Sequence, residues 1–110
     1  LTINSRQKGA RFERTLSQML RDEGFDARRG QQFSGINGDA DVVGCPFLHI
    51  EAKNVQKLNL RDAMAQSERD AREDEIPVVM HKKDRMPVLV TLGFEDFMRF
   101  YKAWLKGWEE

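Results

Sequence analysis

Asp41 heads the apolar pair Val42-Val43, and after Gly44-Cys45-Pro46 the chain runs Phe47-Leu48-His49-Ile50-Glu51-Ala52-Lys53. A strand alternates its side chains between faces, so His49, Glu51 and Lys53 project to one side and Leu48, Ile50 and Ala52 to the other. The second set suits a core. The first puts a carboxylate and an ammonium about 7 Å apart along one rigid strand, beside Asp41 if the two runs pair as a hairpin. Magnesium and manganese prefer oxygen ligands, typically one or two carboxylates with water and substrate phosphate. Asp41 and Glu51 would supply that pair, the carbonyl of Ala52 a third ligand, and Glu13 would complete the site directly or through water. Such a metal would polarise a phosphoryl oxygen and lower the pKa of a coordinated water. Lys53, kept charged by the neighbouring carboxylates, would orient the nucleophile and offset charge developing in the transition state.

These residues need elements to hold them. Phe12, Leu16, Met19 and Leu20 recur at helical spacing and Gly24 supplies a stop, which predicts a first helix over residues 5–23. Glu13 falls on the side of Gly9, Leu16 and Leu20, so a carboxylate borders the buried stripe. A short strand is expected over 25–29, then a glycine-rich loop over 30–38 that leads into the acidic run. Strands over 40–43 and 47–53 would form the hairpin, with Cys45 as a residue of its turn. Asn59 predicts the N-cap of a second helix over 60–73, with Leu60, Ala63, Met64, Ser67 and Ala71 inward. The apolar runs 77–80 and 88–92 read as strands covered on both sides. Phe94, Phe97, Tyr101, Trp104 and Trp108, spaced three and four apart, predict a last helix that is mainly core, with Phe100 and Trp108 widening its apolar face. The order is helix, strands, helix, strands, helix: an α/β fold.

The early helix with Glu13 in Lys8-Gly9-Ala10-Arg11-Phe12-Glu13-Arg14, the Asp41 strand, Glu51-Ala52-Lys53 and the helix carrying Gln66 together resemble the PD-(D/E)XK nuclease superfamily. Within it they resemble the archaeal-type Holliday junction resolvases and their phage-like relatives. The resemblance implies a restriction-endonuclease-like core, a small mixed β-sheet flanked by helices, as one domain over residues 1–110. It implies Asp41 and Glu51 as metal ligands, Lys53 as the catalytic lysine, Glu13 as the helix carboxylate and Gln66 as the glutamine these nucleases often carry. Ser34 and Arg28 or Arg29 match the family's DNA-contacting loop and the basic residue before it. Two departures stand out: Ala40 replaces the proline that names the motif, and only nine residues separate Asp41 from Glu51. Asp39, two residues from Asp41, is a competing candidate for the first acid.

The implied activity is a magnesium-dependent DNA endonuclease, with manganese able to substitute, that cuts branched DNA. Nicking, flap or restriction-like nucleases on the same scaffold and a non-catalytic DNA-binding module are the rivals. Phosphate contacts would come from Arg11, Arg14, Arg28, Arg29 and Lys57. Net charge is zero, with 18 basic and 18 acidic residues, so a positive face must come from distribution: Arg6, Lys8, Arg11, Arg14, Arg28 and Arg29 all precede the acidic run. A bland reading accompanies each lesser residue. Gln66 could equally be a solvated helix flank, His49 is expected as a hydrogen-bonded, partly covered histidine, and Lys82, Lys83 and Arg85 as a solvated connector. At 110 residues the chain can bury a core, and its 33% charged and 40% hydrophobic composition argues against disorder. One cysteine and two histidines make a poor closed zinc site. No apolar run reaches membrane length and no signal peptide is evident at the start, so the cytoplasm is the expected compartment. The wide aromatic face of the last helix predicts a homodimer, which suits an enzyme that cuts two strands symmetrically.

Overall fold

Asn4 caps the first helix: its side chain accepts the Gln7 N–H at 2.9 Å, and α1 then runs Ser5–Asp22. Gly24 ends it at φ +102, and Arg21 in the last turn donates to the carbonyl of Ala27. The computed structural model describes residues 4–31 and 40–109. Within them β1 (Arg28–Arg29), β2 (Val42–Val43), β3 (Leu48–Asn54), β4 (Ile76–Lys82) and β5 (Leu89–Leu92) form one mixed sheet in the order β1-β2-β3-β4-β5. The β3–β4 pair is parallel and the other three are antiparallel. A parallel neighbour requires a crossover, and α2 (Leu60–Asp70) supplies it.

Both faces of β3 are covered. Leu48, Ile50 and Ala52 pack with Val78 and Met80 of β4 against Phe12 and Leu16 of α1, together with Val42. The opposite face meets α2, where the Ser67 hydroxyl bonds the carbonyls of His49 and Val78 at 3.1 and 3.2 Å. Ser67 is fully buried and Ala63 nearly so, small residues that let the helix approach the sheet. The His49-Glu51 face is therefore interior.

The β2–β3 hairpin pairs Val42 with Ile50 and turns at Gly44. Gly44 has φ +103, and a Cβ there would collide with the backbone carbonyl of Asp26, so the turn takes no side chain at that point. Cys45 occupies the turn as expected, yet its thiol is 7% exposed and joins the core cluster.

Four expectations need correction. The strand expected over 25–29 shrinks to Arg28–Arg29, with Phe25 exposed. The helix expected to Glu73 stops at Asp70, because Ala71 turns extended and the Arg72 N–H bonds Glu75 Oε1 in a turn that feeds β4. The run at 88–92 is not covered on both sides: β5 is an edge strand with Leu89 and Val90 exposed. The last helix, α3 (Phe94–Glu109), is not core, since none of its residues is buried. Its apolar spacing holds, but it leaves from the edge strand and its rings stack mainly along the helix, Phe97 on Tyr101 and Tyr101 on Trp104 at centroid distances of 6.3 and 6.2 Å. Among the described residues no helix is long and apolar enough to cross a membrane.

Candidate active site

Asp41 sits one residue before β2 with its N–H donating to the Ile50 carbonyl at 2.9 Å. That pairing sets its carboxylate beside β3, where Oδ2 accepts the Ala52 N–H at 2.8 Å and the carboxyl comes close to the side chain of Glu51. Glu51 is 2% exposed. Burial, and next the charge of Glu51, push the Asp41 carboxyl up to about 7; the Ala52 N–H pulls the other way and Glu13 adds a smaller upward push. Two carboxylates this close and this dry resist carrying both charges unless a proton or a cation joins them.

Glu51 Oε1 lies 3.2 Å from His49 Nε2, whereas Oε2 is buried with no hydrogen-bond partner among the described residues. A buried acceptor left open costs free energy unless something occupies it. The donor set is hard oxygen, which fits magnesium or manganese. Among the described residues no three His, Cys, Asp or Glu side chains converge to cage an ion. The carboxylate pair would therefore need backbone oxygen, water or substrate phosphate to complete the shell, as magnesium sites commonly do.

Asp41 borders a cleft of about 440 Å³ where the end of β3 opens between α1 and α2, and Glu51 lies buried behind it. Glu13, Asp41, Ala52, Lys53 and Gln66, distant in sequence, all line it. Glu13 is 9% exposed, and its Oε1 accepts Arg29 Nε at 2.9 Å, so that carboxylate enters the cleft already held by a guanidinium. Lys53 donates to Gln66 Oε1 at 3.4 Å, which places the glutamine against the lysine rather than on a solvated flank. Gly9, one turn before Glu13 on α1, also lines the cleft, and a Cβ there would meet only open space.

Arg11, Arg14, Arg28 and Lys57 are exposed. Arg29, tied to Glu13, has a side chain 37% exposed. Ser34 and Asp39 lie outside the described residues. His49 is more enclosed than expected, at 2% exposure: burial lowers its pKa, but the hydrogen bond and charge of Glu51 and then Glu75 outweigh burial and leave it raised. Other cleft residues had no site role in the sequence reading, Lys8 and Asn54 among them. Lys8 lines the cleft while bridging to Asp84 at 3.1 Å. Asn54 lines it too, its Oδ1 buried without a partner among the described residues. The signal for Asn54 was legible, since a polar residue takes the next place in the alternation Leu48, Ile50, Ala52.

The family model of the archaeal Holliday junction resolvase (Hjc) matches residues 4–69, a span that holds Glu13, Asp41, Glu51 and Lys53. The chain is similar to Hjc of the archaeal hyperthermophile Archaeoglobus fulgidus, a Holliday junction resolvase, at 30% identity over 77% of this chain and 72% of that one, with a TM-score of 0.59. No curated protein matches the chain.

Proposed function

The chain belongs to the archaeal Holliday junction resolvase family, and on that premise we propose that it is a magnesium-dependent endonuclease, cytoplasmic and homodimeric, that cuts four-way DNA junctions by phosphodiester hydrolysis. The observation that carries the metal-dependent part is the buried Asp41–Glu51 pair, with Glu51 Oε2 unpartnered among the described residues.

Asp41 and Glu51 would hold the metal, with the Ala52 carbonyl as a third protein oxygen and manganese as a substitute. That ion would supply polarisation of the scissile phosphoryl group and acidification of a water. The protein supplies the rest. The Ala52 N–H fixes one oxygen of Asp41, so the carboxylate keeps its orientation when DNA arrives. Gln66 holds the Lys53 ammonium, which orients the attacking oxygen and offsets charge on the phosphorane-like transition state. Glu13, steadied by Arg29, faces the same cleft and binds water at the edge of the site. Arg11, Arg14, Arg28, Arg29 and Lys57, with Ser34 of the adjoining loop, contact backbone phosphates and provide affinity without reading bases.

A direct comparison tests this reading: four-way junction, linear duplex and single strand, each incubated with the protein and magnesium. Paired, symmetric cuts in the junction are expected, with the linear forms spared. Cutting of none of them, by protein that binds the junction, would leave a non-catalytic DNA-binding module.

Homodimerisation rests on α3. Phe94, Phe97, Trp104 and Trp108 are each more than half exposed, an aromatic surface larger than isolated surface residues explain. A second copy covering it would bring two cleavage sites into twofold relation, as symmetric cutting requires. Trp104→Glu is expected to weaken self-association by at least about thirtyfold, the effect of losing an aromatic anchor. Sedimentation equilibrium at micromolar concentration checks this, and a wild type that sediments as a monomer removes the dimer.

A further inference from the structure

Glu51 is held from behind by a chain of side chains that do not line the cleft. His49, two residues earlier on β3, places Nε2 3.2 Å from Glu51 Oε1. Its other ring nitrogen, Nδ1, lies 3.5 Å from Oε1 of Glu75, in the turn that enters β4. The His49 and Glu51 side chains are each 3% exposed and that of Glu75 23%. His49 and Glu75 line a separate cavity of about 290 Å³ under the β2–β3 turn. The order from that cavity towards the cleft is carboxylate, imidazole, carboxylate.

This arrangement divides the work of the two Glu51 oxygens. Oε1 is occupied by the imidazole, and Oε2 is buried without a partner among the described residues. A glutamate has three side-chain torsions, and a carboxylate free to rotate would present either oxygen or neither. Anchoring one oxygen in advance leaves the other with a set direction. The backbone holds the anchor itself: the carbonyl of His49 accepts the Ser67 hydroxyl at 3.1 Å, so α2 fixes the strand at the residue that carries the ring.

We propose that His49, backed by Glu75, is a positioning residue that holds Glu51 through Oε1 so that Oε2 is presented to the divalent cation shared with Asp41. This rests on the metal-dependent reading above. It extends that reading to two residues outside the cleft, which act through Glu51 and touch neither DNA nor the reacting phosphate. Loss of an outer partner of a metal ligand typically weakens metal affinity by roughly 10–100-fold.

The test compares wild type, His49→Leu, His49→Gln and Glu75→Ala by the manganese or magnesium concentration that gives half of the maximal rise in Tm. Junction cleavage is measured beside it at saturating metal. His49→Leu removes the N–H and is expected to raise the half-maximal concentration roughly 10–100-fold. His49→Gln keeps an amide N–H and should recover most of the loss, which mere filling of the space would not do. Glu75→Ala lies at the partly exposed end and should shift the midpoint in the same direction by several-fold, giving a variant that folds even if His49→Leu does not. Cleavage should return towards the wild-type rate as metal saturates. Midpoints within twofold of wild type in folded Glu75→Ala and His49→Leu overturn the inference, as does an equal loss in the leucine and glutamine variants. A wild type that neither gains stability from metal nor cuts the junction overturns the nuclease reading and this inference together. A wild type that does both, beside unshifted variants, overturns this inference alone.

Discussion

Lys53→Ala is expected to slow junction cleavage by about 10²–10³-fold, the loss typical of removing one group aimed at developing charge, while the rise in Tm produced by magnesium persists. The two readouts separate because Lys53 and the metal site share a cleft but not a ligand. Lys53 is half-buried, its hydrogen-bond partner is the neutral amide of Gln66, and the charge of Glu51 acts on Asp41. Truncation removes a positive charge from the place where negative charge would gather, and leaves the carboxylates proposed to hold the cation. Lys53→Arg should rescue little, because a planar guanidinium cannot stand where a compact ammonium does. Single-turnover cleavage of a four-way junction measures the first effect and a melting curve with and without magnesium the second. Cleavage within tenfold of wild type would take Lys53 out of the mechanism.

Asp41→Asn should do two opposite things: stabilise the metal-free protein at neutral pH, and abolish both cleavage and stabilisation by metal. The Asp41 carboxyl is raised from 3.8 to about 7, first by burial and then by the charge of Glu51. The proton belongs to the pair rather than to one acid. Between those two values the folded protein keeps a proton that the unfolded chain has lost, so stability falls as pH rises from about 4 to about 7 and levels off above. The full cost at the plateau is as much as roughly 4 kcal/mol. Asparagine has no proton to lose, so the variant should lack this decline and melt higher than wild type above pH 7 in a chelator. Added magnesium should reverse the order, since it neutralises the wild-type pair and finds only one carboxylate in the variant. Tm measured from pH 5 to 8.5, with chelator and then with magnesium, covers the window. Parallel curves for the two proteins would show that the Asp41 carboxyl is not raised in the fold.

Much of the site was legible because its rules are local. Alternation along a strand placed Glu51 and Lys53 on one face, and the helical repeat set Glu13 at the border of the α1 stripe, where it is 9% exposed. Asn59 caps α2, accepting the Asp62 N–H at 3.1 Å, as its side chain and position predicted. The short Asp41–Glu51 interval demanded a tight hairpin, and Gly44 makes it. Gln66 had two open readings until the packing of α2 on β3 put it 3.4 Å from Lys53.

The sequence by itself determined which residues share a face, where the helices begin, and that two acids and a lysine would meet at the end of a hairpin. Only the tertiary structure decided what covers each face. Pairing β3 with a parallel β4 required a crossover, and α2 buried the His49-Glu51 face that alternation alone left facing either solvent or protein. The same packing raised Asp41, enclosed His49 between Glu51 and Glu75, and joined Arg29 to Glu13. It also left α3 uncovered despite an apolar spacing fit for a core. Periodicity measures direction around a strand or helix, whereas burial and pKa depend on which distant segment arrives against it.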